Sequence, residues 1–270
     1  MSAKVVIITG ASSGFGEQTA QIAASRGYRV VVTARREERL RALVERIQAA
    51  GGTALAVSGD VTSAADQQQL IERTLAEFGR IDVLVNNAGV PLPKSFVEST
   101  VEELRRQWET NVLSVVELTR RALPALIDAG GVVINVGSTA GHFSVPGWGL
   151  YFPTKVAVAS VNDALRRELV PLGVRVCLVE PGPYNTEFAQ RAGMQPDPNV
   201  SFGFPPSQVA EAIVRLIERP RRLTIKPTWM TPLILLGGGL TRLLPGVVDL
   251  ILWAVARRRQ RQAAQTTQGV

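Results

Sequence analysis

Tyr151 and Lys155, in the stretch "YFPTK", stand four residues apart, which places them on one face of any helix that contains both. A free phenol titrates at about 10 and is a poor acid or base at neutral pH. An ammonium beside it favours the phenolate and lowers that value. The pair then makes a proton donor and acceptor suited to carbonyl and alcohol chemistry. Ser138 follows a short apolar run, thirteen residues before Tyr151. It would face the same crevice, its hydroxyl placed to hold a substrate oxygen. Pro153 sits between Tyr151 and Lys155. Inside a helix a proline costs about 3 kcal/mol, but the first turn tolerates it, because N–H groups there lack intrahelical partners. The helix should therefore begin at about residues 149–152, with Tyr151 at its start.

A second set of residues has the types needed to hold a nucleotide. "TGASSGFG", Thr9 to Gly16, follows the apolar run "VVIIT" and precedes a helical pattern. Glycines at 10, 14 and 16 allow a tight turn and let backbone N–H groups approach a pyrophosphate at a helix N-terminus. The spacing differs from G-x-G-x-x-G, so an ordinary strand-to-helix turn is the bland reading; its place after the first strand favours a nucleotide. At the end of the second apolar run, an acidic residue would bond a ribose 2′-hydroxyl. This chain has "TARREERL" instead. Arg35 and Arg36 offer planar cationic forks suited to a 2′-phosphate, which predicts NADP(H) over NAD(H). Asp60, in "GDVT", suits an adenine amino group or, equally, a turn or helix cap. "NNAG", Asn86 to Gly89, has small residues that let a flat cofactor lie against backbone, and Asn87 is a turn former in any case.

These pieces need elements to position them. Short β-rich runs at 5–9, 28–33, 53–57, 81–85, 132–136, 174–179 and 222–226 are mostly continuous in hydrophobicity, the pattern of parallel strands covered on both faces. Between them lie amphipathic stripes: Leu40, Leu43, Val44 and Ile47; Leu70, Ile71, Leu75 and Phe78; Val209, Ile213, Leu216 and Ile217. Ser63 and Ser207 are candidate helix caps, and Thr100 with Glu103 reads as a capping box. The alternation predicts an α/β fold, a doubly wound (Rossmann) seven-stranded parallel sheet with helices on both faces. In such sheets ligands bind beyond the carboxyl ends of the strands, where all the candidate residues fall.

Taken in order, "TGASSGFG", "NNAG", Asn111 in "WETNVLS", Ser138, "YFPTK" and "PGPYNT" resemble the motifs of the short-chain dehydrogenase/reductase family. They span residues 9–186, and the strand–helix alternation extends the likeness to about residue 226. The resemblance implies that Tyr151 is the general acid/base, that Lys155 lowers its pKa and binds the nicotinamide ribose, and that Ser138 orients the substrate oxygen. It implies that Asn111 holds a water in a proton relay to Lys155; read alone, Asn111 is a helix-interior asparagine facing solvent. It implies NADP(H) contacts at Gly10, Ser12, Ser13, Phe15, Gly16, Arg35, Arg36, Asp60, Val61, Asn87, Ala88, Gly89, Tyr151, Lys155, Pro181, Gly182 and Thr186. Pro181 and Gly182 would flank the nicotinamide, with Thr186 on its carboxamide. Residues 1–226 form the dinucleotide-binding and catalytic domain, with a substrate lid at about 187–206 carrying Phe188, Met194, Phe202 and Phe204. A homo-oligomer, dimer or tetramer, is also implied. Two features depart from the family pattern: Pro153 stands where a small residue is common, and His142, the only histidine, is either a substrate contact or a solvated loop residue.

Composition sets the remaining bounds. The 270 residues carry a net charge of +7, and four of those charges are arginines in the last fourteen residues, Arg257, Arg258, Arg259 and Arg261. A charge so concentrated argues against a nucleic-acid surface and for a local basic patch. The single cysteine, Cys177, lies in an apolar run and reads as a buried thiol, consistent with a reducing compartment. No secretory signal is expected at the N-terminus, so the predicted location is cytoplasmic, with no metal required. Residues 227–270 form an apolar extension rather than a domain. Gly237 to Gly239, Arg242, Pro245, Gly246 and Asp249 interrupt it, which argues against a spanning helix. A short apolar helix is expected over 247–256. The extension either packs on the protein or lies in a membrane interface with its arginines at anionic headgroups. The reading favoured is reduction of a bulky hydrophobic ketone or aldehyde, such as a lipid, steroid or retinoid-like compound, or the reverse oxidation. A 3-oxoacyl-thioester reductase is the enzyme alternative, and a non-catalytic NADP-binding or membrane-associated regulator the alternative of another class.

Overall fold

The computed structural model describes residues 3–193 and 204–244, together with Gly246 and Leu250. Among them, strands β1 (Val5–Thr9), β2 (Arg29–Thr33), β3 (Thr53–Ala56), β4 (Val83–Asn86), β5 (Val132–Val136), β6 (Arg175–Pro181) and β7 (Leu223–Lys226) form one sheet in the order β3-β2-β1-β4-β5-β6-β7. All pairings are parallel. β1 and β4 lie side by side although two strands separate them in sequence. Strand order therefore reverses there, and the carboxyl ends of β1 and β4 open a crevice. The continuous apolar runs explain the burial: every residue of β1, β4 and β5 is buried, because helices cover both faces.

The covering helices are α1 (Gly14–Ser25), α2 (Glu37–Ala49), α3 (Ala64–Phe78), α4 (Val101–Trp108), α5 (Ser114–Ala129), α6 (Tyr151–Leu169), α7 (Glu187–Arg191), α8 (Ser207–Glu218) and α9 (Met230–Leu243). One core layer joins Val6, Ile8, Val30 and Ile134 to Leu40, Leu43, Ile213 and Ile217. The other joins Val5, Ile7 and Leu84 to Leu70, Leu118 and Leu126. Ser63 caps α3 by accepting from the Asp66 N–H, and Thr100 and Glu103 close the capping box of α4. Leu75, expected on the inner face of α3, is more than a third exposed. Ser207 is not a cap: Pro206 takes that position and Ser207 opens the helix. Gly237 to Gly239 do not interrupt the extension either; α9 runs through them. Gly238 is there because α9 crosses the loop after β5 at close range, and a Cβ on it would lie 3.1 Å from that of His142. Met194, Phe202, Pro245, the expected helix at 247–256 and the terminal arginines lie outside the described residues.

Helix α6 matters most, since Tyr151 and Lys155 lie in its first two turns. It starts at Tyr151, so Pro153 falls in the first turn as expected. A chain of buried amides ties it to the sheet. Asn86 of β4 donates through Nδ2 to Thr119 Oγ1 of α5 (3.1 Å) and to Asn135 Oδ1 of β5 (2.9 Å). Asn135 donates in turn to Asn162 Oδ1 of α6 (3.0 Å). All four residues are buried, so each lost bond would leave a polar atom without water. Replacing Asn135 with valine, which suits a strand and cannot bond, strands a hydrogen of Asn86 and the acceptor of Asn162. The Asn135→Val protein should lose about 2–3 kcal/mol of stability, read as a lower urea midpoint at unchanged slope. An unchanged midpoint would show that the amide chain does not hold α6 to the sheet.

Candidate active site

The loop after β1 is held against the loop after β4 by a threonine and an asparagine. Thr9 Oγ1 accepts the N–H groups of Asn87 and Ala88, both at 2.9 Å, and Asn87 Nδ2 donates to the Thr9 carbonyl at 2.8 Å. The approach is close enough to demand glycine. Gly10 has φ +66°, and a Cβ on it would lie 2.9 Å from Ala88 Cα; one on Gly16 would lie 2.6 Å from the Gly10 carbonyl oxygen. Ser13 precedes α1 without a side-chain cap, which leaves first-turn N–H groups for an anion.

From this loop a cleft of about 570 Å³ runs across the carboxyl edge of the sheet, a size that suits a large ligand. Every residue expected at the cofactor or catalytic site lines it except Gly16, packed behind the loop, and Asn111. Its small-residue floor, its arginines at one end and its phenol and ammonium at the other fit a phosphorylated dinucleotide.

The arginine end differs in detail from expectation. Arg36 is fully engaged: Nε and Nη2 donate to Ser12 Oγ (3.1 and 2.9 Å), Nη2 to Ser13 Oγ (3.0 Å), and Nη1 to Glu187 of α7 (2.8 Å). Arg35 is looser, half exposed, with its nearest carboxylate, Asp60, at 3.8 Å. Arg39, one turn further along α2, also bonds Glu187, as does Arg191 at 3.0 Å. Burial pushes the Glu187 carboxyl up, but the hydrogen bonds and charge of Arg36 and Arg39 outweigh it and hold the group at about 2. Asp60 takes the turn role, accepting the N–H and hydroxyl of Thr62 at 3.0 and 2.8 Å. Val61 beside it also faces the cleft.

At the other end Tyr151 and Lys155 are both buried. Burial pushes the Tyr151 phenol up to about 12, against a hydrogen bond with Ser138 that draws it down. Burial pushes the Lys155 ammonium down to about 8. The expected lowering of the phenol by the lysine is therefore not what this cleft produces. Lys155 Nζ lies 5.8 Å from the centre of the phenol ring and donates to the Val136 carbonyl at 3.1 Å, so desolvation outweighs charge. Asn111 sits in a π-helical turn, Glu109–Leu113, between α4 and α5, an irregularity frequent at functional sites. It is buried rather than solvent-facing. Its Oδ1 accepts from the Val90 N–H (2.8 Å), and its Nδ2 donates to the Val90 carbonyl and Thr154 Oγ1 (both 3.1 Å). Its side chain is thus a clamp between the loop after β4 and α6. Pro181 and Gly182 end β6 at the cleft, and Thr186 caps α7 through a 3.4 Å bond from the Ala189 N–H.

Four aromatic residues wall this end. Trp148 and Phe188 approach Tyr151 with ring centres at 5.4 and 5.3 Å, and Phe152 packs on Phe143 and Trp148. Phe143, Trp148 and Phe152 were not expected at the site; the run "GHFSVPGWGLYF" held the signal, three aromatics close before or beside the tyrosine. Phe204, expected in the lid, packs on Tyr184, which itself lines the cleft. His142 neither lines the cleft nor stands alone: its Nε2 lies 2.7 Å from Oε2 of the buried Glu180. Cys177 is buried, its thiol pushed up to about 11 by burial. Among the described residues no His, Cys, Asp and Glu group has the makings of a metal site.

Comparison with known proteins agrees with this geometry. The short chain dehydrogenase family model matches residues 4–197. An uncharacterized oxidoreductase of Bacillus subtilis, YxnA, is 34% identical over 93% of this chain and 72% of its own. A 3-ketodihydrosphingosine reductase of Bacteroides thetaiotaomicron is 37% identical over 70% of this chain and 66% of its own. A short-chain dehydrogenase from Sphingobium yanoikuyae in complex with NADPH superposes with a TM-score of 0.76 at 32% identity, covering 89% of this chain and 96% of that one. A short chain dehydrogenase/reductase from Burkholderia phymatum in complex with NAD does so with a TM-score of 0.81 at 27% identity, covering 89% and 95%. With its parallel sheet, its cleft at the strand reversal and these matches, the chain belongs to the short-chain dehydrogenase family of oxidoreductases.

Proposed function

We propose that the protein reduces a bulky, hydrophobic ketone or aldehyde with NADPH. The observation that carries this reading is the buried phenol of Tyr151, lining the cleft with Ser138 and walled by aromatic rings, at the far end of a cleft whose other end is lined with arginine. A phenol at about 12 is fully protonated at neutral pH, so Tyr151 is ready to give a proton to a substrate oxygen that Ser138 orients. The chemistry that a reduced nicotinamide would supply in the cleft is a hydride for the carbonyl carbon. The loop Gly10–Gly16 with Asn87, Ala88 and Gly89 would hold its phosphates and adenosine side, and Lys155, Pro181, Gly182 and Thr186 its nicotinamide side. Arg35 together with Arg36 would take a 2′-phosphate, which favours NADPH over NADH. Lys155 sits behind Tyr151 as a nearby charge that returns the proton, and Asn111 keeps the helix carrying both residues against the loop after β4.

The aromatic wall of Phe143, Trp148, Phe152 and Phe188 supports a large apolar substrate, because such rings exclude water and gain most from apolar area. A long-chain lipid ketone fits this wall, and the likeness to a 3-ketodihydrosphingosine reductase favours that class. Helix α9 supports a membrane as the source of such a substrate. Its inner stripe, Met230, Ile234 and Gly238, faces the protein: Gly182 lies under Met230 and His142 under Gly238. Its outer stripe does not. Trp229, just ahead of it, is half exposed, and Leu233, Leu236 and Leu243 are 61%, 74% and 80% exposed. The sequence beyond it carries the arginine run. An exposed apolar stripe, with an arginine run further along the sequence, suits an anionic interface, and no helix among the described residues is long and apolar enough to cross a membrane.

Three measurements test this reading. Tyr151→Phe should lower turnover on a hydrophobic carbonyl compound by at least about 100-fold, with NADPH binding retained; near-normal turnover would move the proton donor elsewhere. Arg35→Ala should weaken NADPH about 10-fold or more and leave NADH unchanged. Equal losses for both cofactors would remove Arg35 from the 2′-phosphate. The parent protein should co-sediment with phosphatidylglycerol-containing vesicles at low salt and release at high salt. Leu236→Glu with Leu243→Glu should abolish that binding. No sedimentation of the parent at low salt would leave α9 with a packing role alone.

A further inference from the structure

The short helix α7 touches both ends of the cleft. Its first residue, Glu187, accepts from Arg36 at 2.8 Å, from Arg39, and from Arg191 at 3.0 Å. Its second, Phe188, lies 5.3 Å from the ring of Tyr151. Arg36 at the same moment spends Nε and Nη2 on Ser12 and Ser13. All three nitrogens of its guanidinium are therefore in use, Nε and Nη2 at the two serines of the loop after β1 and Nη1 at Glu187. A phosphate oxygen cannot take a forked pair of bonds from Arg36 unless Glu187 or the serines let go. Glu187 thus holds the place of an anion at the arginine end of the cleft.

We propose that Glu187 is an exchangeable internal anion that stands in for a cofactor 2′-phosphate, competes with it for Arg36 and Arg39, and so sets how the cleft discriminates phosphorylated from unphosphorylated dinucleotides. The proposal rests on the reading that the cleft takes NADPH. A phosphate monoester carries close to two negative charges near neutral pH, against one for a carboxylate, so it is the better partner for two guanidinium groups. A 2′-hydroxyl has no charge and cannot displace Glu187. The partners to be separated are partly exposed, with side-chain exposures of 32% for Arg36, 52% for Arg39 and 29% for Glu187. Ion pairs of that kind are weak and screened, so an incoming dianion is able to open them. Once Arg36 and Arg39 turn to the phosphate, Glu187 keeps only Arg191, four residues on in its own helix, and faces a like charge. α7 is then free to shift, carrying Phe188 with it. The anion at one end of the cleft is thereby linked to the ring over the catalytic phenol at the other.

The test is equilibrium binding, independent of turnover. Dissociation constants for NADPH and NADH are measured by titration calorimetry on the parent, on Glu187→Gln, and on Glu187→Gln combined with Arg36→Ala and Arg39→Ala. Adenosine 2′,5′-bisphosphate and 5′-AMP serve as probes of the adenosine end alone. Glu187→Gln should bind NADPH and the bisphosphate about 10-fold tighter, with NADH and 5′-AMP within about twofold of the parent. Removing both arginines should cancel the gain, as a shared interaction requires. A merely structural Glu187 would weaken both cofactors together. If the parent prefers NADPH and Glu187→Gln binds it equally or more weakly, the exchange is overturned while the cofactor reading stands. If the parent binds both cofactors equally and Glu187→Gln acquires a preference for NADPH, the exchange is supported and the parent's NADPH preference is what fails.

Discussion

A lysine ammonium and a tyrosine phenol are held out of water in the first two turns of one helix, and much of the structure serves to keep them there. The desolvation has a thermodynamic sign. Lys155 falls from 10.5 to about 8 on folding, so between those values the unfolded chain binds more protons than the folded one. The group's penalty is full below pH 8 and is relieved as pH rises towards 10.5. Tyr151 rises from 10.0 to about 12. It costs nothing below pH 10 and destabilises the fold as pH climbs through 12. At neutral pH the molecule therefore carries the lysine's cost, on the order of 3 kcal/mol, and keeps the phenol protonated. Burial alone moves a phenol up and an ammonium down; what marks the pair is that both line the same cleft.

What offsets that cost is polar order behind the helix as much as apolar burial in front of it. The Asn86, Asn135 and Asn162 chain fixes α6 to the middle of the sheet, and Asn111 fixes its first turns to the loop after β4 through Thr154. The irregular π-helical turn that carries Asn111 lies between two regular helices. Thr9 and Asn87 do the same for the loop after β1. Each of these side chains ties the carboxyl end of one strand to a neighbouring element, which is how a parallel sheet turns the ends of separate strands into one rigid edge.

Reading the sequence recovers the local parts of this design and misses the distant ones. The strands, the Ser63 cap, the Thr100 capping box and the helix start at Tyr151 follow from residues within a few positions of each other, where propensity, periodicity and backbone sterics decide. The Ser207 cap failed because Pro206 already supplies the fixed φ of a helix entry and competes for the same position. The glycines of α9 read as breaks although the helix runs through them, and for one of them, Gly238, the reason is tertiary: close packing on His142. His142 read as a loop residue because its partner, Glu180, lies on another strand. Arg36 read as a free fork because Glu187 is 151 residues away. The residue types at the cleft were legible; which of them hold one another was not, since parallel crossovers join strand ends that are remote in sequence.

The cleft has two chemically distinct ends, and the sheet keeps them apart. At one end charges are exposed enough to exchange partners with solvent or ligand, which suits recognition of an anion. At the other end water is excluded, which suits proton transfer because electrostatic interactions strengthen in a low dielectric. Mixing them would spoil both: arginines beside Tyr151 would pull its proton away, and aromatic rings beside Arg36 would leave its guanidinium without partners. β1 and β4 are adjacent in the sheet, and the loops that follow them, with β5 and β6 beyond, space the two ends by the width of several strands. Helix α7 spans the gap, with a carboxylate at one position and a phenyl ring at the next. Through those two positions the proposed exchange of anions at one end would reach the ring beside Tyr151 at the other.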